Sequence, residues 1–99
     1  MNDEKLARAL QSVGQSCFVK FFDFFSSKSL STESIIEKLK LETNYTENSC
    51  VSRTGHARRI IRAGKAGAAL KIIISSNSKL ISIETRQNAL KCLRKIEST

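Results

Sequence analysis

Six basic side chains between positions 53 and 65 are the residues best suited to chemistry. An arginine fork donates two hydrogen bonds to phosphate oxygens or to the O6/N7 edge of guanine, and lysine binds phosphate as a point charge. At helical spacing the last four of the six project from one side of a helix, and the first two flank them. We therefore predict an anion-binding face made of Arg53, His56, Arg58, Arg59, Arg62 and Lys65.

The distribution of charge supports the same prediction. Residues 1–49 carry six Lys/Arg and seven Asp/Glu, whereas residues 50–99 carry eleven and two. No acidic residue lies between Glu47 and Glu84. A basic region of this kind is typical of proteins that bind an anionic partner, nucleic acid above all.

Catalytic and metal-binding patterns are weak by comparison. Cys50 and His56 lie six residues apart, which separates their side chains by about 120° around a helix and puts them out of hydrogen-bond reach. Three dispersed cysteines and one histidine lack the paired spacing of zinc sites. The chain contains neither a phosphate-binding glycine loop of the Walker type nor an H-E-x-x-H motif. We expect a binding protein without metal or cofactor rather than an enzyme.

A phenylalanine-rich segment suggests a second kind of surface. Apolar residues recur at steps of three and four from Asp3 to about Phe25, which predicts one amphipathic helix. Its second half carries more rings than one helix face buries easily, and Phe22 lies furthest from the main apolar stripe. Core packing is the first interpretation of these rings, and self-association through Phe18, Phe22 and Phe25 is the alternative.

Four further helices are predicted from caps and periodicity. The first begins at the N-cap Ser31 and ends near Glu42, and the second, basic helix covers about 49–63, beginning at Asn48 or Ser49. Gly64 and Gly67 mark a bend before the segment 68–74. Its alanines favour helix, although its run of isoleucines leaves a strand as the alternative. A last helix follows the N-cap Ser82.

These elements predict an all-α fold, a single domain of residues 1–99 packed as a bundle of about five helices. The helix after Ser31, the connection 43–48 and the basic helix resemble the general layout of a helix-turn-helix, although the connection is longer than the usual tight turn. The resemblance implies a basic helix that reads the major groove of DNA.

The sequence thus predicts a small nucleic-acid-binding protein that favours double-stranded DNA over RNA. The alternative is a protein-interaction module, either an adaptor or inhibitor with a basic face for an acidic partner, or a homodimer joined through its phenylalanines. No apolar run reaches the length of a membrane span, and unpaired cysteines favour a reducing compartment. We expect the cytoplasm, or the nucleus in a eukaryote, and no membrane partner.

Overall fold

A computed structural model describes residues 1–98, and within them the fold consists of helices and connecting loops. The predicted all-α class is confirmed, but these residues form seven helices instead of five. They are α1 (Asp3–Val13), α2 (Gln15–Lys20), α3 (Phe22–Ser26), α4 (Thr32–Glu42), α5 (Glu47–Arg62), α6 (Ala66–Ile74) and α7 (Ile83–Glu97).

The predicted N-terminal helix is divided into three. Gly14 ends α1 with φ of 89°, which a residue with a side chain rarely adopts, and Phe21 interrupts the chain again with φ of −110°. A straight helix from Asp3 to Phe25 would be about 34 Å long at 1.5 Å per residue. The whole molecule measures only 30 × 30 × 24 Å. The breaks therefore let one continuous apolar stripe curve around the core.

The phenylalanines lie inside that core. Phe18, Phe22 and Phe25 are at most 5% exposed, and Phe18 packs edge-on against Phe22 at a centroid distance of 5.5 Å. The self-association surface required Phe22 to face solvent, and its ring instead packs in the core. The bends on either side of α2 turn more faces inward than a straight helix would.

Side-chain caps set the starts of four helices, the first being α1, where the Asn2 side chain accepts from the N–H of Lys5. The hydroxyls of Ser31 and Ser82 accept bonds from the backbone N–H groups of Ser34 and Thr85, so both predicted N-caps are confirmed. The basic helix instead begins after Thr46, whose hydroxyl accepts from the N–H of Ser49. Thr46 precedes both predicted caps, and this places Asn48 and Ser49 inside the first turn of α5.

The helical interpretation of 68–74 is also confirmed, because α6 covers Ala66–Ile74. Only one of the two predicted glycine breaks is present. Gly64, with φ of 73°, ends α5, while Gly67 lies within α6. In the part of the chain that the structure describes, none of the helices combines the length and apolarity needed to cross a bilayer.

Candidate nucleic-acid interface

The basic helix α5 occupies the centre of the bundle and packs against α1, α3, α4 and α6. Its inner side is fully buried and contains Cys50, Thr54, Ala57 and Ile60. Its outer side is an open strip running along the whole helix, made of Val51, Ser52, Gly55, Arg59 and Arg62. The two sides are segregated as helical periodicity requires, so the cations of the outer strip are directed to solvent.

Arg53 does not belong to that outer strip. Its Nη1 donates to the main-chain carbonyl of Val13 at 2.6 Å, and its Nε donates to the hydroxyl of Ser49 at 2.9 Å. The guanidinium carbon also lies 3.9 Å from the centre of the Tyr45 ring, a cation–π contact. All of these partners belong to the protein itself. Arg53 is therefore a half-buried residue that fastens α5 to the end of α1.

Gly14 and Cys17 are close neighbours of the Arg53 guanidinium. A Cβ added to Gly14 would lie 2.8 Å from its Nη1, so the glycine leaves room for the guanidinium. Cys17 is buried beside it, and burial raises the pKa of the Cys17 thiol while the positive charge of Arg53 opposes that rise. A neutral thiol is thus the favoured form here, and Cys17 serves as a core residue.

Arg58 is shared between the surface and the fold. Its side chain is partly buried, and Nη1 donates to the carbonyl of Leu30 at 3.3 Å, just before α4 begins. This bond uses part of the guanidinium and leaves other N–H groups for a ligand, since arginine has five donors. Arg58 is consequently a weaker candidate for phosphate binding than the sequence predicted.

The bond between Arg58 and Leu30 also indicates how α4 and α5 are arranged. Lys40 near the end of α4 contacts Glu47 at the start of α5, with 3.3 Å between Nζ and Oε1. Arg58 and Leu30 meet roughly 15 Å further along both helices, at 1.5 Å per residue. Contacts at both ends are those of two helices lying side by side, as in an αα-hairpin, rather than crossing at about 90–120°. The helix-turn-helix resemblance is not confirmed.

The strongest remaining cations are Arg59 and Arg62, which are exposed, with Lys65 partly buried beyond them. The ion pairs of residues 1–98 lie elsewhere, at Arg8–Glu4, Lys40–Glu37, Lys40–Glu47 and Lys95–Asp23. No carboxylate in this part of the chain therefore neutralises the three cations, and an anion from outside is the natural counter-charge.

A groove of about 560 Å³ lies between α1 and α5 and includes one of these cations, Arg59, in its lining. Arg59 and His56 line it from α5, and the α1 side contributes basic and hydroxyl groups that were not predicted as site residues. They are Lys5, Arg8 and Ser12. These three lie at steps of three and four on α1, which is a visible signal, but the seven acidic residues of the N-terminal half conceal it in the net charge.

The described residues bring together neither a cysteine–histidine pair on α5 nor a cluster of metal ligands. Cys50 is fully buried while His56 is only partly so, and the two belong to different sides of α5. Cys17, Cys50 and Cys92 are unpaired and buried. Within residues 1–98, no group of three or more His, Cys, Asp or Glu side chains is placed to hold a metal ion.

Comparison with known proteins gives no assignment. No family model matches the chain, no curated protein matches it, and no solved structure matches its fold.

Proposed function

We propose that this protein binds double-stranded DNA through the outer strip of α5 and through Lys65 just beyond the end of this helix, with Arg59, Arg62 and Lys65 contacting backbone phosphates. The observation that carries the proposal is the exposure of Arg59 and Arg62 on one side of a helix, without a carboxylate partner among residues 1–98. Arginine forks bind phosphate through paired, charge-assisted hydrogen bonds, which makes such a strip complementary to a nucleic-acid backbone.

The middle of the strip favours close approach. Gly55 is exposed, and a Cβ built on it would meet no atom within 4 Å. Glycine in the middle of an exposed helix lowers stability by about 0.5–1 kcal/mol relative to alanine. Nothing in the fold requires this glycine. A ligand backbone lying against α5 would require it, and this supports a partner that follows the strip.

Salt dependence follows from the number of phosphates contacted. Arg59 and Arg62 on the strip, together with Lys65 beyond it, would release about three counterions, which gives a slope of roughly −2.7 in a plot of log affinity against log salt. Affinity should fall roughly 40-fold between 50 and 200 mM salt. Arg58, held by Leu30, is left out of this count.

The decisive experiment is a mobility shift with the double variant Arg59→Ala/Arg62→Ala. Both side chains are exposed, so the helical circular dichroism should be unchanged while the shift of duplex DNA is lost. Lys91→Ala/Arg94→Ala is the matched control, because these two cations are also exposed and three residues apart, but on α7. The control should shift DNA like the wild type.

Structured RNA and single-stranded DNA in parallel lanes rank the nucleic acids. An undiminished shift by the Arg59/Arg62 variant would refute the proposed interface. If the wild type shifts none of the three nucleic acids but retains a protein partner when bulk duplex DNA is added, the basic strip serves an acidic protein instead.

A further inference from the structure

Two helices present basic side chains to the same groove. Lys5 and Arg8 lie one turn apart on α1, and His56 and Arg59 lie one turn apart on α5, across the space of about 560 Å³. Ser12 extends the α1 side with a hydroxyl. Side chains three or four residues apart share one face of a helix, so each pair is directed toward the other.

Among residues 1–98, no acidic side chain lines this groove. Its remaining walls are Met1, Ala9 and Ala63, which are uncharged at their side chains. Ala9 is 7% exposed and forms the floor on the α1 side, while Ala63, just after the end of α5, is exposed. Concentrated positive charge above a floor of small side chains attracts a compact, strongly charged anion.

Arg8 already has one partner, Glu4, at 2.7 Å on the preceding turn of α1. Both side chains are more than 70% exposed. Exposed ion pairs of this kind contribute little, and a dianion offers more charge and more acceptor oxygens than one carboxylate. Arg8 is therefore available to a phosphate, and Glu4 acts as a weak competitor for it.

We infer that the groove between α1 and α5 is a phosphate-binding site, in which Lys5, Arg8 and Arg59 hold the anion and His56 and Ser12 complete its hydrogen bonds. The phosphate is either free or part of a nucleic-acid backbone; the second assignment rests on the function proposed above. Arg59 belongs to both the groove and the outer strip of α5. A bound backbone would thus continue from the groove along α5 toward Arg62.

His56 provides a direct probe, because it is the one histidine in the sequence and lies in the groove. Its imidazole proton signals are followed by NMR while inorganic phosphate, or a short DNA duplex, is added at constant pH and ionic strength. We expect saturable shifts with both. Lys5→Gln/Arg8→Gln should weaken phosphate binding roughly tenfold, since it removes two charge-assisted donors.

The matched control is Lys91→Gln/Arg94→Gln, which removes the same two residue types at the same spacing on α7 and should bind phosphate like the wild type. Glu4→Gln should bind phosphate more tightly, because Arg8 loses its competing carboxylate. Equal affinity in the wild type and in Lys5→Gln/Arg8→Gln would overturn the inference, as would His56 signals that phosphate does not move.

The measurements with duplex DNA distinguish this inference from the proposed function. If phosphate moves the His56 signals but no duplex is bound, the groove takes a free phosphate and the proposed function fails. If duplex DNA is shifted in an Arg62-dependent way while the His56 signals stay fixed with both probes, the proposed function stands and the groove inference fails. If both hold, Lys5→Gln/Arg8→Gln should reduce the salt slope for DNA by about one unit.

Discussion

Arg53 donates a hydrogen bond of 2.6 Å to the main-chain carbonyl of Val13, forty positions earlier in the sequence. Val13 is the last residue of α1, where helix carbonyls lack partners within the helix. The bond therefore satisfies a free carbonyl of α1 with a side chain of α5. It also fixes the side-by-side placement of the two helices that form the basic groove.

Arg53→Ala should lower the free energy of unfolding by about 2–4 kcal/mol. The variant removes a charge-assisted bond to a carbonyl and the contact with the Tyr45 ring, and these effects have magnitudes of about 1.5–3 and about 1 kcal/mol. Urea unfolding followed by circular dichroism measures the change. Arg59→Ala is the control and should remain within about 0.5 kcal/mol of the wild type. Similar losses for the two variants would contradict the role of Arg53 in joining α5 to α1.

Gly14→Ala should destabilise the protein at the turn between α1 and α2, next to Arg53. Backbone at φ of 89° and ψ of 127° is a region almost restricted to glycine, and forcing another residue into it costs about 1–3 kcal/mol. The new methyl group would also stand 2.8 Å from Nη1 of Arg53 and displace it. The thermal midpoint should fall accordingly. A midpoint equal to that of the wild type would show that the turn does not need glycine.

Gly55→Ala should have the opposite effect on stability. The position is exposed within α5, its added Cβ meets nothing within 4 Å, and alanine favours helix over glycine by about 0.5–1 kcal/mol. Urea unfolding should therefore show a more stable protein. In the mobility shift the same variant should bind duplex DNA less tightly, because the methyl group stands where the ligand backbone approaches. Stabilisation with undiminished binding would place the ligand away from Gly55.

Phe22→Ala should unfold the protein rather than separate two copies of it. The ring is 5% exposed and packs on Phe18, and truncating a buried phenylalanine costs about 3–5 kcal/mol. Circular dichroism reports the loss of stability, and sedimentation of wild type and variant reports the mass of the particle. If the variant is folded and its particle mass is half that of the wild type, Phe22 lies in a dimer interface.

Stability should decline above about pH 9. Burial raises the pKa of Cys17 and Cys92 above the ordinary 9.0, and burial likewise raises the pKa of Tyr45 above 10.0. Between the unfolded and folded values the folded chain binds more protons, so the free energy of unfolding falls as pH rises. The contribution of the neutral Cys17, Cys92 and Tyr45 side chains to stability is fully present below the pKa values of the unfolded chain. It is lost as the pH rises through the pKa values of the folded chain.

The urea midpoint measured from pH 7 to 11 tests the alkaline prediction. Tyr45→Phe has no phenol to ionise, so its curve should be shallower than that of the wild type at the alkaline end. Identical curves would remove Tyr45 from the effect, and stability that rises with pH in this range would contradict the sign.

Local signals predicted those parts of the fold that depend on neighbours in sequence. The hydroxyls of Ser31 and Ser82 identify two helix starts, and the alanines before Ile72 identify α6 as a helix. The breaks at Gly14 and Phe21 were not predicted, because the apolar stripe has the same period whether the helix continues or bends. What prevents a straight helix of this length is the small diameter of the folded domain, and periodicity along the chain does not contain that diameter.

The candidate site was predicted on α5 and missed on α1 for a related reason. A helical wheel gives the direction in which Arg53 and Arg58 leave the helix, but an arginine is long enough to turn back to a carbonyl on another element. The contribution of Lys5 and Arg8 depends on which helices become neighbours. That is a long-range property, and periodicity along the chain does not contain it.

The central position of α5 affects the entropy that is lost when an anionic partner binds. Four helices pack around it, so its amide protons should exchange with solvent only when much of the domain opens. The guanidinium groups of Arg59 and Arg62 consequently project from backbone already immobilised before an encounter. When a polyanion binds, little more than the side-chain rotamers of these arginines would become ordered. A mobile loop would lose backbone entropy on binding, whereas the backbone of α5 has already lost that entropy during folding.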